Sequence, residues 1–271
     1  MRTGHGPPAC HYVTQAARQV PPDFAWLSLR ERETLLGLRL AKRRADWLLG
    51  RWTAKRAVAS RFPPPAAPTP LASIEILATE DGAPEVFFGA VRAAYSISIS
   101  HRDARAVCAL VDGGRDPALT IGCDLERIEP RDTTFVEDFF ADEERALVQR
   151  CGAGVRECAV ALVWSAKESA LKLLRTGLRA DTRSVVVTHV NFGRLDDWER
   201  FEIDCVEAGR TLPGWWRTLG DLVLTVVTAQ PGAPPHGLVD AGAPVPWAEA
   251  SGGPRRATPS GADLRPPEAG R

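Results

Sequence analysis

Three acidic side chains, carried by two separate segments, have the types and spacing of a metal and phosphate site. In the segment "LTIGCDLERI", strand alternation puts Asp124 and Glu126 on one face, about 7 Å apart at their Cα atoms. In the segment "VWSAKESALKLL", Glu168 lies between Lys167 and Lys172 on a helix with an apolar face. Carboxylates together with a substrate phosphate commonly hold Mg²⁺, and lysines offset phosphate charge. The two segments could therefore act together on a phosphate group.

Each segment also has a purely structural interpretation. The strand could present a solvated acidic face that Arg127 screens. Glu168 and Lys172 could form a surface ion pair worth roughly a few tenths of a kcal/mol. That interpretation leaves Lys167 unexplained, because it lies near the middle of the apolar arc, where a lone ammonium group is costly to bury. We expect Lys167 to reach solvent or to line a cleft.

Basic and histidine residues of the N-terminal part form a second set of candidates. Lys42 and Lys55 belong to the segment "AKRRADWLLGRWTAKRAVA", which is either a helix with a solvated basic face or a patch that binds phosphate. The segment "YSISISH" places Ser100 on a strand face and His101 at the turn. The sequence has no nucleophile elbow, which argues against a serine hydrolase. It also has no Walker sequence and no dinucleotide-binding glycine motif.

The composition argues against several classes of protein. The 271 residues carry 34 basic and 34 acidic side chains, so the chain lacks the overall positive field of a nucleic-acid-binding protein. The six cysteines have neither C-x-x-C nor zinc spacing and are expected to be buried thiols in a reducing compartment. Without a signal peptide or an apolar run of about 20 residues, we predict a cytoplasmic protein that binds neither membrane nor nucleic acid.

The pattern of helices and strands predicts an α+β fold. Residues 28–62 read as two helices, with Ser28 and Glu31 in a capping box. Strand-like segments follow, including a hairpin of "YSISISH" and "AVCALV", and then a strand, helices and closing strands. We expect a flexible N-terminus (1–20), an N-terminal α+β half (21–116), a C-terminal α+β half that carries the metal site (117–230), and a disordered tail rich in Pro and Gly (231–271).

The two acidic segments also resemble a known family. The sequence "IGCDLE" is followed by "WSAKESALK", with Glu168 lying 44 positions after Asp124 (168 − 124). This pair resembles the G-x-D-x-E and W-[ST]-x-K-E-[AS]-x-x-K motifs of the 4′-phosphopantetheinyl transferase superfamily, in particular its surfactin-synthetase-activating type. Each motif is weak alone, whereas the pair at this spacing is specific. The resemblance covers most of residues 28–228.

The resemblance implies a pseudo-dimer of two similar α+β halves with the active site at their junction. Enzymes of this family transfer the 4′-phosphopantetheine arm of coenzyme A to a serine of an apo acyl or peptidyl carrier protein, and they release adenosine 3′,5′-bisphosphate. The reaction depends on Mg²⁺, which Mn²⁺ could replace. We expect carriers of polyketide, nonribosomal peptide or fatty-acid synthesis as partners, and a monomer, because one chain already forms the junction.

Carried over by position, the resemblance implies the following roles. Asp124, Glu126 and Glu168 would hold the metal ion. Glu168 would be the general base or only a metal ligand, and Lys172 the second catalytic residue. Coenzyme A would be bound by Lys42, Lys55, Ser100, His101, Lys167 and Lys172.

One turn departs from the family pattern, and one segment is a candidate for carrier binding. The family often has a G-K-P turn beside the adenine, whereas this chain has Gly82-Ala83-Pro84 and lacks that lysine, for which Arg43 or Arg44 could compensate. Because carrier proteins are acidic around the target serine, we expect a basic strip to dock them. Candidates for this strip are Arg145, Arg150 and Arg156.

Two other functions remain alternatives. A Mg²⁺-dependent nuclease or phosphohydrolase would also use acidic residues and a lysine, but its second acid and lysine are usually placed as E-x-K on a strand, and the chain has no net basic charge for DNA. In a binding module without catalysis, the D-x-E strand and the K-E-x-x-x-K helix would be unrelated surface features.

Overall fold

The computed structural model describes residues 9–62, 70–113, 116 and 119–238. The fold is a mixed α+β fold, as predicted. The helices are α1 (Leu29–Gly37), α2 (Ala41–Ala59), α3 (Thr133–Phe139), α4 (Asp142–Arg150) and α5 (Ala153–Leu173). The strands are β1 (Cys10–Ala16), β2 (Ile74–Ala78), β3 (Pro84–Phe88), β4 (Val91–Arg92), β5 (Tyr95–Arg102), β6 (Arg105–Asp112), β7 (Ile121–Arg127), β8 (Val185–Val190), β9 (Glu199–Cys205), β10 (Arg210–Leu219), β11 (Leu222–Thr228) and β12 (His236–Gly237).

Three sheets position the two long helices. The strand orders are β12-β1-β6-β5, β7-β11-β10-β9-β8 and β2-β3-β4, and all pairs are antiparallel except β1 with β12. Helix α2 packs on β6, β1, β2 and β5, and helix α5 packs on β7 and β11. A core that joins Val107 and Val111 of β6 to Leu125 of β7 connects the two larger sheets. Strand β7, which carries the D-x-E sequence, is therefore central to the molecule.

Two local predictions are confirmed by hydrogen bonds and register. The Ser28 hydroxyl accepts a hydrogen bond from the Glu31 amide at 3.3 Å, and the Glu31 carboxylate accepts one from the Ser28 amide at 2.9 Å. Strands β5 and β6 form the predicted hairpin. Its two-residue turn has Asp103 and Ala104 in the left-handed region, with φ of 49° and 58°, as a type I′ turn requires. This hairpin fixes Ser100 on the strand that faces β7.

The ends of the described chain differ from the prediction. The N-terminal segment was expected to be flexible, yet residues 10–16 form β1, which pairs with β6 along its whole length. Cys10 and Val13 of β1 are buried, so these residues complete the first sheet. The expected disorder from residue 231 is wrong for β12, whose two residues pair with β1. Residues 1–8 and 239–271, which belong to the two expected segments, lie outside the described residues.

Strand β10 and the break between α3 and α4 were not predicted. Proline is unusual inside a strand, so Pro213 argues against β10 in the sequence. In the structure, Pro213 pairs only with β9, because the pairing with β11 begins at Gly214. The helical backbone is interrupted at residues 140–141, so α4 begins as a separate helix at Asp142. Glu144 is the third residue of this helix. Five of the six cysteines are buried and all six are free thiols, as expected. Within the described ranges, no helix is both long and apolar enough to cross a membrane.

Candidate active site

Gly122 brings β7 and α5 into direct contact. A Cβ atom at Gly122 would lie 1.9 Å from the carbonyl oxygen of Ser169, so only glycine permits this approach. Strand alternation places Asp124 and Glu126 on the same side of β7 as Gly122, toward α5. The alternate residues Ile121, Cys123 and Leu125 face the opposite core. The predicted division of the strand into two faces is confirmed, and the close approach that Gly122 allows is that of the helix.

Two serines of α5 hold the helix on the neighbouring strand. The hydroxyl groups of Ser165 and Ser169 lie one helical turn apart and contact the Thr225 hydroxyl at 2.8 Å and 2.7 Å. All three side chains are fully buried. Buried hydroxyl groups are costly unless they are hydrogen bonded, so this set fixes both the rotation and the register of α5 against β11. The sequence does not reveal the role of these serines, because Thr225 is about 60 residues away.

A single stripe of α5 remains accessible to solvent. From Cys158 to Leu173, every residue is buried except Trp164, Glu168 and Lys172. These three residues are spaced by four and therefore share one helix face. Phe135 and Phe139 pack on Trp164 with ring centroids 5.1 Å and 5.2 Å away, so the stripe begins at an aromatic wall.

Asp124 meets this stripe through Lys172. The Lys172 ammonium donates to Asp124 Oδ1 at 2.6 Å and to the carbonyl oxygen of Cys123 at 3.1 Å, and it lies 3.7 Å from Glu168 Oε2. Ser100 also donates to Asp124 Oδ1, at 2.8 Å. Asp124 Oδ2 is buried and accepts no hydrogen bond from an N–H or hydroxyl group of the described residues. A buried carboxylate oxygen without a donor is a poor structural feature and a suitable cation ligand.

Glu168 is held close to a second carboxyl group. Burial, followed by the negative charge of Asp124, raises the pKa of Glu168 from 4.5 to about 7, although Lys172 opposes the rise. A hydrogen bond with Asp124 also favours the protonated form of Glu168. Burial alone would lower the pKa of Lys172, but Asp124 and Glu168 outweigh it and raise that pKa. Near neutral pH, the Glu168 carboxyl group therefore binds a proton in a place where a cation could replace it.

Glu126 lies at the edge of this group. Its carboxylate pairs with Arg131 at 3.3 Å and with Arg102 at 3.6 Å. Burial and then the charge of Asp124 raise the pKa of Glu126. Across the ranges that the structure describes, no three His, Cys, Asp or Glu side chains are arranged to hold a metal ion together. Glu126 is paired with these two guanidinium groups.

The donor atoms nevertheless suit a hard cation. Asp124, Glu126 and Glu168 offer only carboxylate oxygens, which favour Mg²⁺ over zinc or copper. The unpartnered Oδ2 of Asp124 is the strongest sign of such a site. The three metal ligands stay predictions. Asp124 and Glu168 are neighbours already, whereas Glu126 would have to give up contacts with arginine.

The prediction that Lys167 binds phosphate is wrong. Its ammonium is fully buried and donates to Glu144 Oε1 at 2.8 Å, to Glu144 Oε2 at 2.6 Å, and to the carbonyl oxygen of Val185 at 2.6 Å. Glu144 in turn accepts from the amides of Ala141 and Val187, both at 2.8 Å. All the donors of Lys167 are used inside the core, on the side of α5 away from Glu168.

The prediction that Lys55 binds coenzyme A is wrong for the same reason. Lys55 is fully buried, forms an ion pair with Glu31, and donates to the carbonyl oxygens of Trp26 at 2.9 Å and Leu71 at 3.1 Å. Burial lowers its pKa, and Glu31 opposes that effect. The sequence did not reveal either pair, because each glutamate lies in a different helix, 24 or 23 residues before its lysine (55 − 31 and 167 − 144).

Two other predicted residues share a basic cleft. Lys42 and His101 line a cavity of about 560 Å³ between α2, β5 and the turn before β3. Its other lining residues are Leu40, Arg43, Asp46, Trp47, Gly50, Arg51, Gly82, Pro84 and Ile99. Arg51, which the sequence analysis did not single out, stacks on Trp47 with 4.9 Å between its guanidinium carbon and the ring centroid. Ser100 is not in this cleft, since its hydroxyl group points to Asp124.

A second cavity lies next to the basic cleft and borders Lys172. It has a volume of about 250 Å³ and shares Gly82, Pro84 and Ile99 with the first cavity. Lys172 also lines this second cavity. Lys172 therefore contacts Asp124 and borders a cavity that shares part of its wall with the cleft of Lys42 and His101. A large ligand with several phosphate groups could span this distance.

Comparison with known proteins agrees with part of the sequence resemblance. The model of the 4′-phosphopantetheinyl transferase superfamily matches residues 120–226, which include β7 and α5. None of the curated proteins compared with the chain matches it. A holo-(acyl-carrier-protein) synthase from Bacillus anthracis in complex with CoA (3′,5′-ADP) is 20% identical over 38% of this chain and 94% of its own, with a TM-score of 0.34. The holo-[acyl-carrier-protein] synthase of Thermotoga maritima is 22% identical over 49% of this chain and 74% of its own, with a TM-score of 0.30.

Proposed function

We propose that this protein transfers the 4′-phosphopantetheine arm of coenzyme A to a serine of an apo acyl or peptidyl carrier protein, with Mg²⁺, as a member of the surfactin-synthetase-activating type. The observation that carries the proposal is the meeting of Asp124 with Glu168 and Lys172 across β7 and α5. These residues lie within the segment that the superfamily model matches. The basic cleft beside them suits an anionic substrate.

A pseudo-dimer of two similar halves is part of this proposal, and the two buried lysines support it. Lys55 pairs with Glu31, and Lys167 pairs with Glu144. Each glutamate is the third residue of the helix before the long one, and each accepts a hydrogen bond from the amide that precedes its helix. Each also accepts from a strand amide, that of Ile76 at 3.0 Å or that of Val187 at 2.8 Å. Two unrelated domains would have little reason to share this network.

In the proposed complex, the adenosine end of coenzyme A occupies the basic cleft. Lys42 and His101 line that cleft and would contact its 3′-phosphate. Ala83 cannot supply the lysine contact of the family, but Arg43 lines the same cleft and could replace it. Arg44 is the weaker substitute, because it donates to the carbonyl oxygen of Leu35 at 3.0 Å. The pyrophosphate would then extend toward Lys172.

The reaction requires positioning and charge neutralisation. Asp124, Glu126 and Glu168 would hold Mg²⁺, which would neutralise part of the pyrophosphate charge. The serine oxygen of the carrier forms a bond to the phosphorus that bears the pantetheine arm. The bond from that phosphorus to the bridging oxygen breaks, and adenosine 3′,5′-bisphosphate leaves with the electron pair. Lys172 offsets charge on the phosphate oxygens as this happens.

Glu168 is our candidate for accepting the serine proton. A pKa of about 7 suits a general base near neutral pH. Its carboxyl group lies on the accessible stripe of α5, where an incoming serine could reach it. If Glu168 serves only as a metal ligand, its replacement would raise the Mg²⁺ concentration needed for half-maximal rate. If it is the base, saturating Mg²⁺ would not restore the rate.

The carrier would dock beside this stripe, where the structure refines the proposed basic strip. Arg150 and Arg156 are exposed at the end of α4 and the start of α5. Arg145 is partly occupied, because it donates to Asp142 at 3.1 Å and to the carbonyl oxygen of Glu137 at 2.7 Å. We expect Arg150→Glu and Arg156→Glu to raise the KM for the carrier, and an unchanged KM in both variants would refute this surface.

The function is tested by intact-mass analysis of apo carriers incubated with the protein, coenzyme A and Mg²⁺. The expected result is addition of one phosphopantetheine group, lost on omission of Mg²⁺. Glu168→Gln with saturating Mg²⁺ should lower the rate at least about 10²-fold. No addition on several acyl and peptidyl carriers would favour a phosphohydrolase or a binding module, and release of free phosphate or cleavage of DNA would distinguish the first of these from the second.

A further inference from the structure

Arg175 forms a clamp between the end of α5 and the turn that leads into β3. Its guanidinium group donates to Asp81 Oδ2 at 2.6 Å, to Asp81 Oδ1 at 2.9 Å, to the Thr79 hydroxyl at 3.0 Å, and to Glu85 at 3.3 Å. Arg179 adds a hydrogen bond to the carbonyl oxygen of Asp81 at 3.2 Å. Two parallel hydrogen bonds from one guanidinium group to one carboxylate give a defined geometry as well as attraction.

The clamped turn lines both cavities of the candidate site. Gly82 and Pro84 border the basic cleft and also the smaller cavity that Lys172 lines. The turn is itself well formed, with the Thr79 amide bonded to the carbonyl oxygen of Ala83 at 2.9 Å. Because Ala83 has no polar side chain, this position of the turn can serve a ligand only through its backbone and its shape. That role depends on where the turn is held.

The backbone of Arg175 is unusual in a way that favours the clamp. Its φ is 60°, which is uncommon for a residue with a side chain. Arg175 follows Lys172 by three positions and begins immediately after the last turn of α5. The Arg175 amide donates to the carbonyl oxygen of Lys172 and the Thr176 amide to that of Leu171, both at 3.1 Å, so Arg175 is the left-handed residue of the cap that ends α5, and this cap fixes where its side chain starts.

We propose that Arg175 is a positioning residue that sets the place of the 79–84 turn relative to Glu168 and Lys172. It would thereby fix the distance between the nucleotide cleft and the reacting pyrophosphate. This inference rests on the proposed function, and it adds a residue that lies outside the acidic and lysine motifs. Arg175 itself does not need to touch the substrate.

The test compares two isosteric changes. Asp81→Asn removes the carboxylate charge from the clamp. Asp221→Asn is the control, because it removes a carboxylate charge from another ion pair, with Arg105 at 2.7 Å. That pair also joins distant parts of the chain, but it lines neither cavity. We expect Asp81→Asn and Arg175→Ala to raise the KM and the Kd for coenzyme A about tenfold, with kcat nearly unchanged. Arg175→Lys should lie in between, because lysine keeps the charge without the fork. Asp221→Asn should match the wild type.

The outcomes separate the clamp from the proposed function. Steady-state transfer gives KM and kcat, calorimetry with coenzyme A gives Kd, and circular dichroism checks that each variant is folded. Wild-type values of KM and Kd in both Asp81→Asn and Arg175→Ala would overturn the inference. An equal rise in Asp221→Asn would also overturn it, because the effect would then be one of general stability. If the wild type binds coenzyme A but transfers nothing, the proposed function fails while the Kd comparison still decides on the clamp.

Discussion

The pKa of Glu168 gives a prediction about stability that needs no substrate. In the folded protein, burial and Asp124 raise this pKa from 4.5 to about 7. A carboxyl group with a raised pKa contributes stability that is fully present below its unfolded pKa and is lost as the pH rises through its folded pKa. The metal-free protein should therefore lose stability from this group between pH 4.5 and about pH 7.

The size of the effect follows from the shift. A change from 4.5 to about 7 is worth about 3 kcal/mol at 1.36 kcal/mol for each pKa unit. The side chain of Glu168 is 20% exposed, so solvent weakens the effect and this value is an upper limit. Glu168→Gln cannot ionise and should lack the whole contribution. The variant should then be the more stable protein at pH 8 and should approach the wild type near pH 5.

Urea unfolding at several pH values from 5 to 8, with a chelator present, measures this difference. Glu157→Gln is the matched control, because Glu157 lies on the same helix but outside the accessible stripe. We expect the control to follow the pH dependence of the wild type. If the difference between Glu168→Gln and the wild type stays constant from pH 5 to pH 8, the carboxyl pair is not as close as the structure places it.

Three further predictions follow from the same contacts. Mg²⁺ should raise the melting temperature of the wild type more at pH 8 than at pH 6, because the ion competes with the proton on Glu168, and an equal rise at both values would contradict carboxylate ligation. Lys167→Met should lower the free energy of unfolding in urea by about 3–5 kcal/mol, because it leaves Glu144 buried without its partner. The double variant with Glu144→Gln should lose less, and additive effects of the two changes would contradict the pair. Gly122→Ala should destabilise the fold by more than about 2 kcal/mol, because its Cβ would meet the Ser169 carbonyl oxygen; a loss of less than about 0.5 kcal/mol would mean that α5 can move away.

The sequence predicted the parts of the site that depend on local periodicity. Alternation along β7 correctly placed Asp124 and Glu126 on one face, and helical spacing placed Glu168 and Lys172 one turn apart. The contact between strand and helix could be anticipated from Gly122, although its partner could not. Local rules succeed here because strands and helices have fixed periods of about two and 3.6 residues.

The errors all concern partners that are distant in sequence. Lys167 and Lys55 looked available for phosphate, because their buried glutamates lie 23 and 24 residues earlier, in separate helices (167 − 144 and 55 − 31). Strand β1 looked flexible, because its apolar residues match the core only once β6 pairs with it. In each case, tertiary contacts decide the role of a residue whose local sequence allows two.

The proposed relation between the two halves explains why only one of them carries the chemistry. Lys55 and Lys167 occupy corresponding positions in two similar Lys–Glu networks. The residues that follow them, Arg56 and Glu168, therefore correspond as well. A tryptophan lies four positions before each of these residues, Trp52 before Arg56 and Trp164 before Glu168. Arg56 stacks on Trp52, with 5.6 Å between its guanidinium carbon and the ring centroid.

The corresponding strands of the two halves, β1 and β7, differ in the same way. Strands β1 and β7 each have seven residues, and the fourth and sixth are Val13 and Gln15 in β1 but Asp124 and Glu126 in β7. The N-terminal half thus keeps the buried pair that supports its long helix and has no carboxylate at any of the three corresponding positions. A buried Lys–Glu pair is therefore a property of the fold, whereas the acidic residues of β7 and α5 are a property of the site. For this reason, the lysine directly before Glu168 pairs with a buried glutamate of the fold, and the lysine four residues after it contacts Asp124.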